Sequence, residues 1–211
     1  MAEPILEVED LTIQFQLKRG ALRAVDGVSF SIDRGETFGL VGESGSGKTV
    51  TARSIMRLVP MPPGQLVKGS VKYEGRDVYS MSDAEMRELR GTNIAMVFQE
   101  PMSALNPVFS VGAQITDALR TNLGMDAKFA RERCIELMSL VGIPSPEQRI
   151  DSYVHEFSGG MRQRVMLAMA LSCDPNFLIA DEPTTALDVT IQATILELIE
   201  SMIERFEMSL I

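Results

Sequence analysis

The chain has 211 residues, 45% hydrophobic and 23% charged, a globular balance that excludes a disordered segment. Its 20 Lys and Arg against 29 Asp and Glu leave a net charge of −9, which argues against a protein that coats nucleic acid by bulk charge and predicts no nucleic-acid partner. The longest apolar run, Val165–Leu171, has seven residues, far short of the roughly 18 a membrane-spanning helix needs. The acidic start MAEPILEVED lacks the basic-then-apolar layout of a signal peptide, so a soluble, cytosolic chain is expected. Cys134 and Cys173 stand far apart in helix-like stretches. They offer neither metal spacing nor a disulfide framework and are expected as reduced, buried thiols.

In chain order, Leu11, Ile13 and Phe15 alternate with Thr12 and Gln14, and Val28, Phe30 and Ile32 alternate with Ser29, Ser31 and Asp33. Both patterns predict strands, joined as a hairpin around Gly20. An apolar strand over Thr37–Val41 leads into a glycine-rich loop and a helix from Lys48 to about Leu58, which VPMPPG breaks. A strand follows at Val67–Tyr73. Ser82-x-x-Glu85 is a capping-box signature for a short helix to about Arg90. Ile94–Phe98 reads as a strand.

After Gln99 the texture changes to turns and helices. Helices are predicted at Val111–Thr121 and Asp126–Val141, the second with Phe129, Arg133, Leu137 and Leu140 at helical spacing and a stop at Gly142. Ser158 opens a helix to about Cys173, and Phe177–Ala180 is a short buried strand ending in Asp181 and Glu182. The last helix, Ile191–Phe206, places Ile191, Ile195, Leu198 or Ile199, and Met202 on one face. Met208–Ile211 begins another strand. Strands interleaved with helices point to a parallel α/β sheet, with residues 100–157 as an all-helical insert into a core of 1–99 and 158–211.

Gly42-Glu43-Ser44-Gly45-Ser46-Gly47-Lys48-Thr49 fits G-x-x-x-x-G-K-[ST], flanked by a predicted strand and helix. Glycines let successive N–H groups turn toward phosphate oxygens, and the helix N-terminus adds positive dipole. Lys48 is placed to reach the β- and γ-phosphates and Thr49 to offer its hydroxyl to Mg²⁺. Asp181, delivered by an apolar strand, is the companion metal carboxylate, and Glu182 is the candidate base that orients water for in-line attack. The bland reading of Asp181-Glu182-Pro183 is a solvated turn; the phosphate loop weighs against it. Ser158-Gly159-Gly160 makes a second anion site at a helix start, one that a head-to-tail second subunit would use.

SGGMRQR, with GESGSGKT, VFQEP, LIADEP and ALD, resembles an ATP-binding cassette (ABC) transporter ATPase. AVDGVSF, TARSIMRLVP, FQEPMSALNPVF and ADEPTTALDVTIQATILELI resemble the D-type ATPase of oligopeptide, dipeptide and nickel permeases over essentially the whole chain. The resemblance implies an α/β P-loop NTPase fold of RecA-like type, with an antiparallel N-terminal β subdomain and an inserted helical subdomain. It implies ATP and Mg²⁺ as ligands, held by Gly42, Glu43, Ser44, Gly45, Ser46, Gly47, Lys48, Thr49 and Val50. Phe15 matches the aromatic that stacks on adenine, an ordinary core residue being the other reading. Gln99 matches the Q-loop glutamine that touches Mg²⁺ or the attacking water. Ser158, Gly159, Gly160 and Met161 match the signature that contacts a partner's ATP, Asp188 the dimer-seam aspartate, and Glu182, Gln99 and Lys48 the catalytic groups.

Two departures qualify the resemblance. The usual signature is LSGGQ; here it is FSGGM, as D-type subunits often have it. The family's switch histidine belongs on a strand beginning where MSLI begins, and the single histidine, His155, lies upstream of the signature. A chain cut before that histidine and before the usual C-terminal region is therefore expected, and with it poor hydrolysis by residues 1–211 alone. The implied partners are a second, related cassette, two transmembrane permease subunits and an extracytoplasmic solute-binding protein, with the chain on the cytoplasmic face of the membrane. Import of di- or oligopeptides is expected, with nickel or another small solute, or a soluble non-transport ABC ATPase, as alternatives. The last usually carries zinc cysteines, a coiled coil or a tandem cassette, none of which stands in this sequence.

Overall fold

The structure, a computed structural model, describes residues 4–18, 20–184 and 188–211. Its contacts gather into two compact units, one of Met1–Arg87 with Ser209–Ile211 and one of Glu88–Met208.

In the first unit, β1 (Leu6–Leu17) pairs antiparallel with β2 (Gly20–Ile32), from Leu6 opposite Ile32 to Leu17 opposite Gly20. Its other edge takes β3 (Gly64–Tyr73), which carries the short β4 (Arg76–Asp77). Leu6, Val8, Leu11, Ile13, Ile32, Val71 and Tyr73 are buried. The alternation expected along 11–15 is interrupted, because the β1–β2 register shifts between Val8 and Leu11 and again between Leu11 and Ile13. Thr12 is thereby buried with Leu11 and Ile13, and its hydroxyl accepts the Gly27 N–H at 3.1 Å, which satisfies a polar group turned inward.

Helix α1 (Lys48–Ile55) stops short of the expected Leu58. Arg57 takes a left-handed φ of 49° there, and its guanidinium donates to the Met81 carbonyl at 2.6 Å and pairs with Asp83. Helix α2 (Asp83–Glu88) opens on the predicted capping box: Ser82 N–H donates to Glu85 Oε2 at 2.8 Å and Glu85 N–H to Ser82 Oγ at 3.3 Å. The Ser82 backbone and hydroxyl bonds hold the Glu85 carboxyl below its ordinary range.

The second unit is organised on a parallel pair, β5 (Ile94–Val97) and β6 (Phe177–Ala180), in register from Ile94–Phe177 to Val97–Ala180. Phe177, Leu178 and Ile179 are all buried, the continuous apolar run of a strand covered on both faces. Between them lie only helices: α3 (Pro101–Ala104), α4 (Val111–Leu123), α5 (Ala127–Leu140), α6 (Pro146–Arg149), a 3₁₀ turn at Val154–Glu156 and α7 (Gly159–Ala170). Ser110 caps α4 by accepting from Ala113 N–H, and Asp126 caps α5 by accepting from Lys128 N–H.

The buried line of α5 is Ala130, Cys134, Leu137 and Met138, while Phe129 is 63% exposed. Of the expected line, Leu137 is buried, whereas Phe129 is exposed and Arg133 is half-buried and pairs with Glu136 and, at 2.8 Å, with Asp174. Helix α8 (Val189–Phe206) buries Ile195, Ile199 and Met202, which selects Ile199 over Leu198.

The strand expected at Thr37–Val41 is reduced to a single bridged residue. Thr37 forms one parallel bridge, to Leu210 in β7 (Ser209–Leu210). Phe38 N–H donates to Leu210 and Leu210 N–H to Glu36. Among the described residues no helix is long and apolar enough to cross a membrane.

Cys134 is buried and Cys173, in the turn after α7, only half-buried, so one of the two expected buried thiols is partly open. Burial pushes the Cys134 thiol up to about 12, leaving almost no thiolate at neutral pH. Alkylation of the native protein should therefore modify Cys173 well before Cys134, with both reacting after unfolding. Peptide mass spectrometry that found Cys134 modified first would contradict this packing.

Candidate functional site

Two groups of the predicted residues are assembled, one in each unit. In the first unit the phosphate loop runs from exposed Gly42 to Ser46 into α1. Gly45 and Gly47 take left-handed φ values of 81° and 98°. Gly47 sits at the N-cap, and a Cβ there would lie 2.3 Å from the Ala24 carbonyl oxygen of β2. No side chain fits that approach, so the loop is drawn against the strand in a way only glycine allows. Ser46 N–H donates to Glu43 O at 3.1 Å, and the Lys48 ammonium donates to the Gly42 and Glu43 carbonyls at 2.8 and 3.1 Å. Thr49 and Val50 follow in the first turn of α1, half-buried. A curled loop, a lysine folded over it and the first N–H groups of a helix suit a polyphosphate. Phe15 lies half-buried near the end of β1, opposite Leu22 of β2 and Gly64 of β3.

In the second unit β6 ends at Asp181, which is 6% exposed and whose N–H donates to Val97 O at 3.0 Å. Glu182 follows with a φ of 48°. That left-handed backbone is disfavoured for a residue with a Cβ and concentrates at functional sites. Gln99, just beyond β5, donates its Nε2 to Glu182 Oε2 at 3.1 Å. The parallel register brings them together: Val97 lies opposite Ala180, so the ends of both strands release Gln99 and Glu182 side by side. The carboxylate is an acceptor only and can take a proton from water; the Gln99 amide fixes one of its oxygens. Asp181 carries an oxygen donor of the class Mg²⁺ accepts.

Ser158 caps α7, its Oγ accepting the Met161 N–H at 3.4 Å. Ser158 and Gly159 are exposed and Gly160 and Met161 half-buried. Arg162 donates to the Val154 and His155 carbonyls at 3.0 and 3.4 Å, tying the preceding 3₁₀ turn to the helix. His155 is exposed and stacks on Tyr153 at 5.7 Å. Asp188 is exposed at the N-cap of α8, its carbonyl accepting Gln192 N–H at 2.9 Å. The neighbouring Thr185, Ala186 and Leu187 of the ALD segment lie outside the described residues.

Two residues that the sequence reading did not single out also join the site. Gln163 of α7 donates to the Pro183 carbonyl, and Gln192 of α8 donates to the Thr184 carbonyl at 2.9 Å. Their signal in the sequence is faint: a glutamine beside an apolar helical run. Gln99, Gly159, Arg162, Gln163 and Pro183 border a shallow cleft with Pro101 and Met102.

A family model described as "ABC transporter" matches residues 25–185. The oligopeptide transport ATP-binding protein OppD of Bacillus subtilis is 52% identical over 98% of this chain and 58% of its own length. The dipeptide transport ATP-binding protein DppD of the same organism is 50% identical over 99% of the chain and 62% of its own. The chain thus spans about three fifths of the length of these curated relatives. Among solved structures, a dimeric structure of MJ0796, a bacterial ABC transporter cassette, superposes with a TM-score of 0.85 at 24% identity, covering 97% of this chain and 86% of that one. That of cbiO1 from Clostridium perfringens, part of the ABC transporter complex cbiONQ, gives 0.79 at 26% identity, covering 99% and 77%.

Proposed function

This chain belongs to the ABC transporter family, with the α/β fold of its cassettes, and we propose that it is the ATP-hydrolysing subunit of a membrane importer for di- and oligopeptides. The observation that carries the hydrolytic reading is the placement of Glu182 directly after Asp181, with the Gln99 amide on its carboxylate at 3.1 Å. In this reading the phosphate loop from Gly42 to Val50 binds the triphosphate, with Phe15 on adenine. Lys48 gives up its loop carbonyls for phosphate oxygens, and Glu182 takes the proton of the attacking water. Thr49, Gln99 and Asp181 would hold Mg²⁺, which when bound neutralises phosphate charge. Ser158, Gly159, Gly160 and Met161 would face the ATP of a second cassette, with Asp188 at the seam.

Peptide rather than nickel is supported by the names of the relatives. A permease partner is supported by the apolar surface beyond Gln99, where Met102, Val108 and Phe109 are 46%, 71% and 54% exposed. The same reading divides the chain into a core of 1–99 and 158–211 and a helical subdomain of 100–157. It places the subunit on the cytoplasmic face of the membrane, beside a related second cassette, two transmembrane subunits and a solute-binding protein.

The test is the protein reconstituted with its permease subunits and binding protein in proteoliposomes. ATP turnover should rise when the binding protein carries peptide and not when nickel is supplied. Lys48→Ala should weaken binding of a fluorescent ATP analogue roughly 10- to 100-fold, the worth of charge-assisted bonds to phosphate. Turnover indifferent to peptide sinks the substrate assignment; unchanged affinity in Lys48→Ala sinks the phosphate-loop assignment.

A further inference from the structure

Glu182 holds its left-handed φ of 48°, and such a conformation persists only where surrounding structure over-determines it. The strand side supplies one anchor, Asp181 N–H on Val97 O at 3.0 Å. The following residue, Pro183, has no N–H with which to continue backbone pairing. The anchors on that side come instead from two side-chain amides on two helices: Gln163 Nε2 on the Pro183 carbonyl and, at 2.9 Å, Gln192 Nε2 on the Thr184 carbonyl.

Gln163 is 2% exposed, and the other buried residues of α7 are Val165, Met166, Leu167 and Ala168. Packing alone is served at such a position by an apolar side chain, whereas a buried amide costs stability unless its hydrogen bonds are made. The bond is made to the turn that carries Glu182.

We infer that Gln163 and Gln192 are positioning residues that set the Glu182 carboxylate, an inference that rests on reading Glu182 as the base. Neither reaches the reacting atoms. Each fixes a carbonyl immediately after Glu182, so that the turn between the Val97 anchor and these amides has one arrangement. Gln163 lies in the helix that Ser158 caps, which ties the position of the base to the segment proposed to meet the partner's nucleotide.

The test uses the full-length protein with Gln163→Met, which keeps side-chain length and deletes the donor, and Gln192→Met as an independent second variant. Turnover is expected to fall roughly 10- to 100-fold, the effect of a small misplacement of a reacting group. The KM for ATP and the affinity for a fluorescent analogue are expected to stay within about twofold of wild type. In a Glu182→Gln background the same changes should cost nothing further in single-turnover rate, since the group they position is already gone. Wild-type turnover in both variants overturns the inference. So does an equal further loss in the Glu182→Gln background, or a parallel fall in melting temperature and nucleotide affinity that marks a merely structural role. A wild-type protein that binds ATP without hydrolysing it overturns the reading of Glu182 instead, so the two failures are distinguishable.

Discussion

Glu182→Gln should bind nucleotide with wild-type affinity and hydrolyse it at least about 10²- to 10⁴-fold more slowly, the range for removal of a general base. The exchange keeps shape and deletes one property. An amide oxygen can still accept the Gln99 Nε2 donation that the carboxylate accepts at 3.1 Å, so the pair retains its geometry. The backbone is also undisturbed, because Gln occupies the left-handed φ of 48° no less readily than Glu. What is lost is an anionic oxygen able to take a proton. Retention of a fluorescent ATP analogue, measured beside phosphate release, separates the two quantities. Phosphate release at the wild-type rate would remove Glu182 from the chemistry and leave Asp181-Glu182-Pro183 as a turn with no catalytic part.

The end of β6 at Asp181 and Glu182 was legible because two local signals coincide: a four-residue apolar strand with no polar interruption, and acids where that strand must end. The capping box at Ser82–Glu85 was legible for the same reason, since its bonds close within three residues and depend on nothing distant. Signals that depend on a distant partner misled or stayed silent. Thr37–Val41 has strand composition, but composition does not supply a partner, and Thr37 alone is bridged, to Leu210. Along α5 Leu137 was legible, but Phe129 and Arg133 were not: the buried positions beside it are Ala130, Cys134 and Met138, and Arg133 pairs with Asp174, far along the chain. Thr12 is buried through a bulge whose register no alternation rule reveals. Gln163 and Gln192 were passed over because a glutamine's use is decided by which carbonyl stands opposite, and Pro183 and Thr184 reach theirs only through the fold.

Gly47→Ala adds one methyl group and should abolish nucleotide binding. Two separate costs meet at this residue. Its φ of 98° is one that an L side chain avoids, at about 1–2 kcal/mol. The added Cβ would also stand 2.3 Å from the Ala24 carbonyl oxygen and 3.6 Å from Val25 Cγ2. The nearer obstacle is backbone in the middle of β2, which cannot rotate away as a side-chain tip could. Relief requires that the strand or the start of α1 move. Gly47 O accepts the Thr51 N–H at 2.8 Å, an opening hydrogen bond of the helix, so a shift of α1 tilts the N–H groups proposed to hold phosphate. Gly45 provides the internal comparison. Its φ of 81° is equally left-handed, but a Cβ there meets nothing within 4 Å. Gly45→Ala therefore carries the conformational cost alone, and Gly47→Ala should lose more than about 1 kcal/mol beyond it in chemical denaturation. Fluorescent ATP titration should show weakened binding in the first variant and none measurable in the second. Equal behaviour of the two would mean that β2 yields easily at Ala24 and that close approach to the strand does not shape the loop.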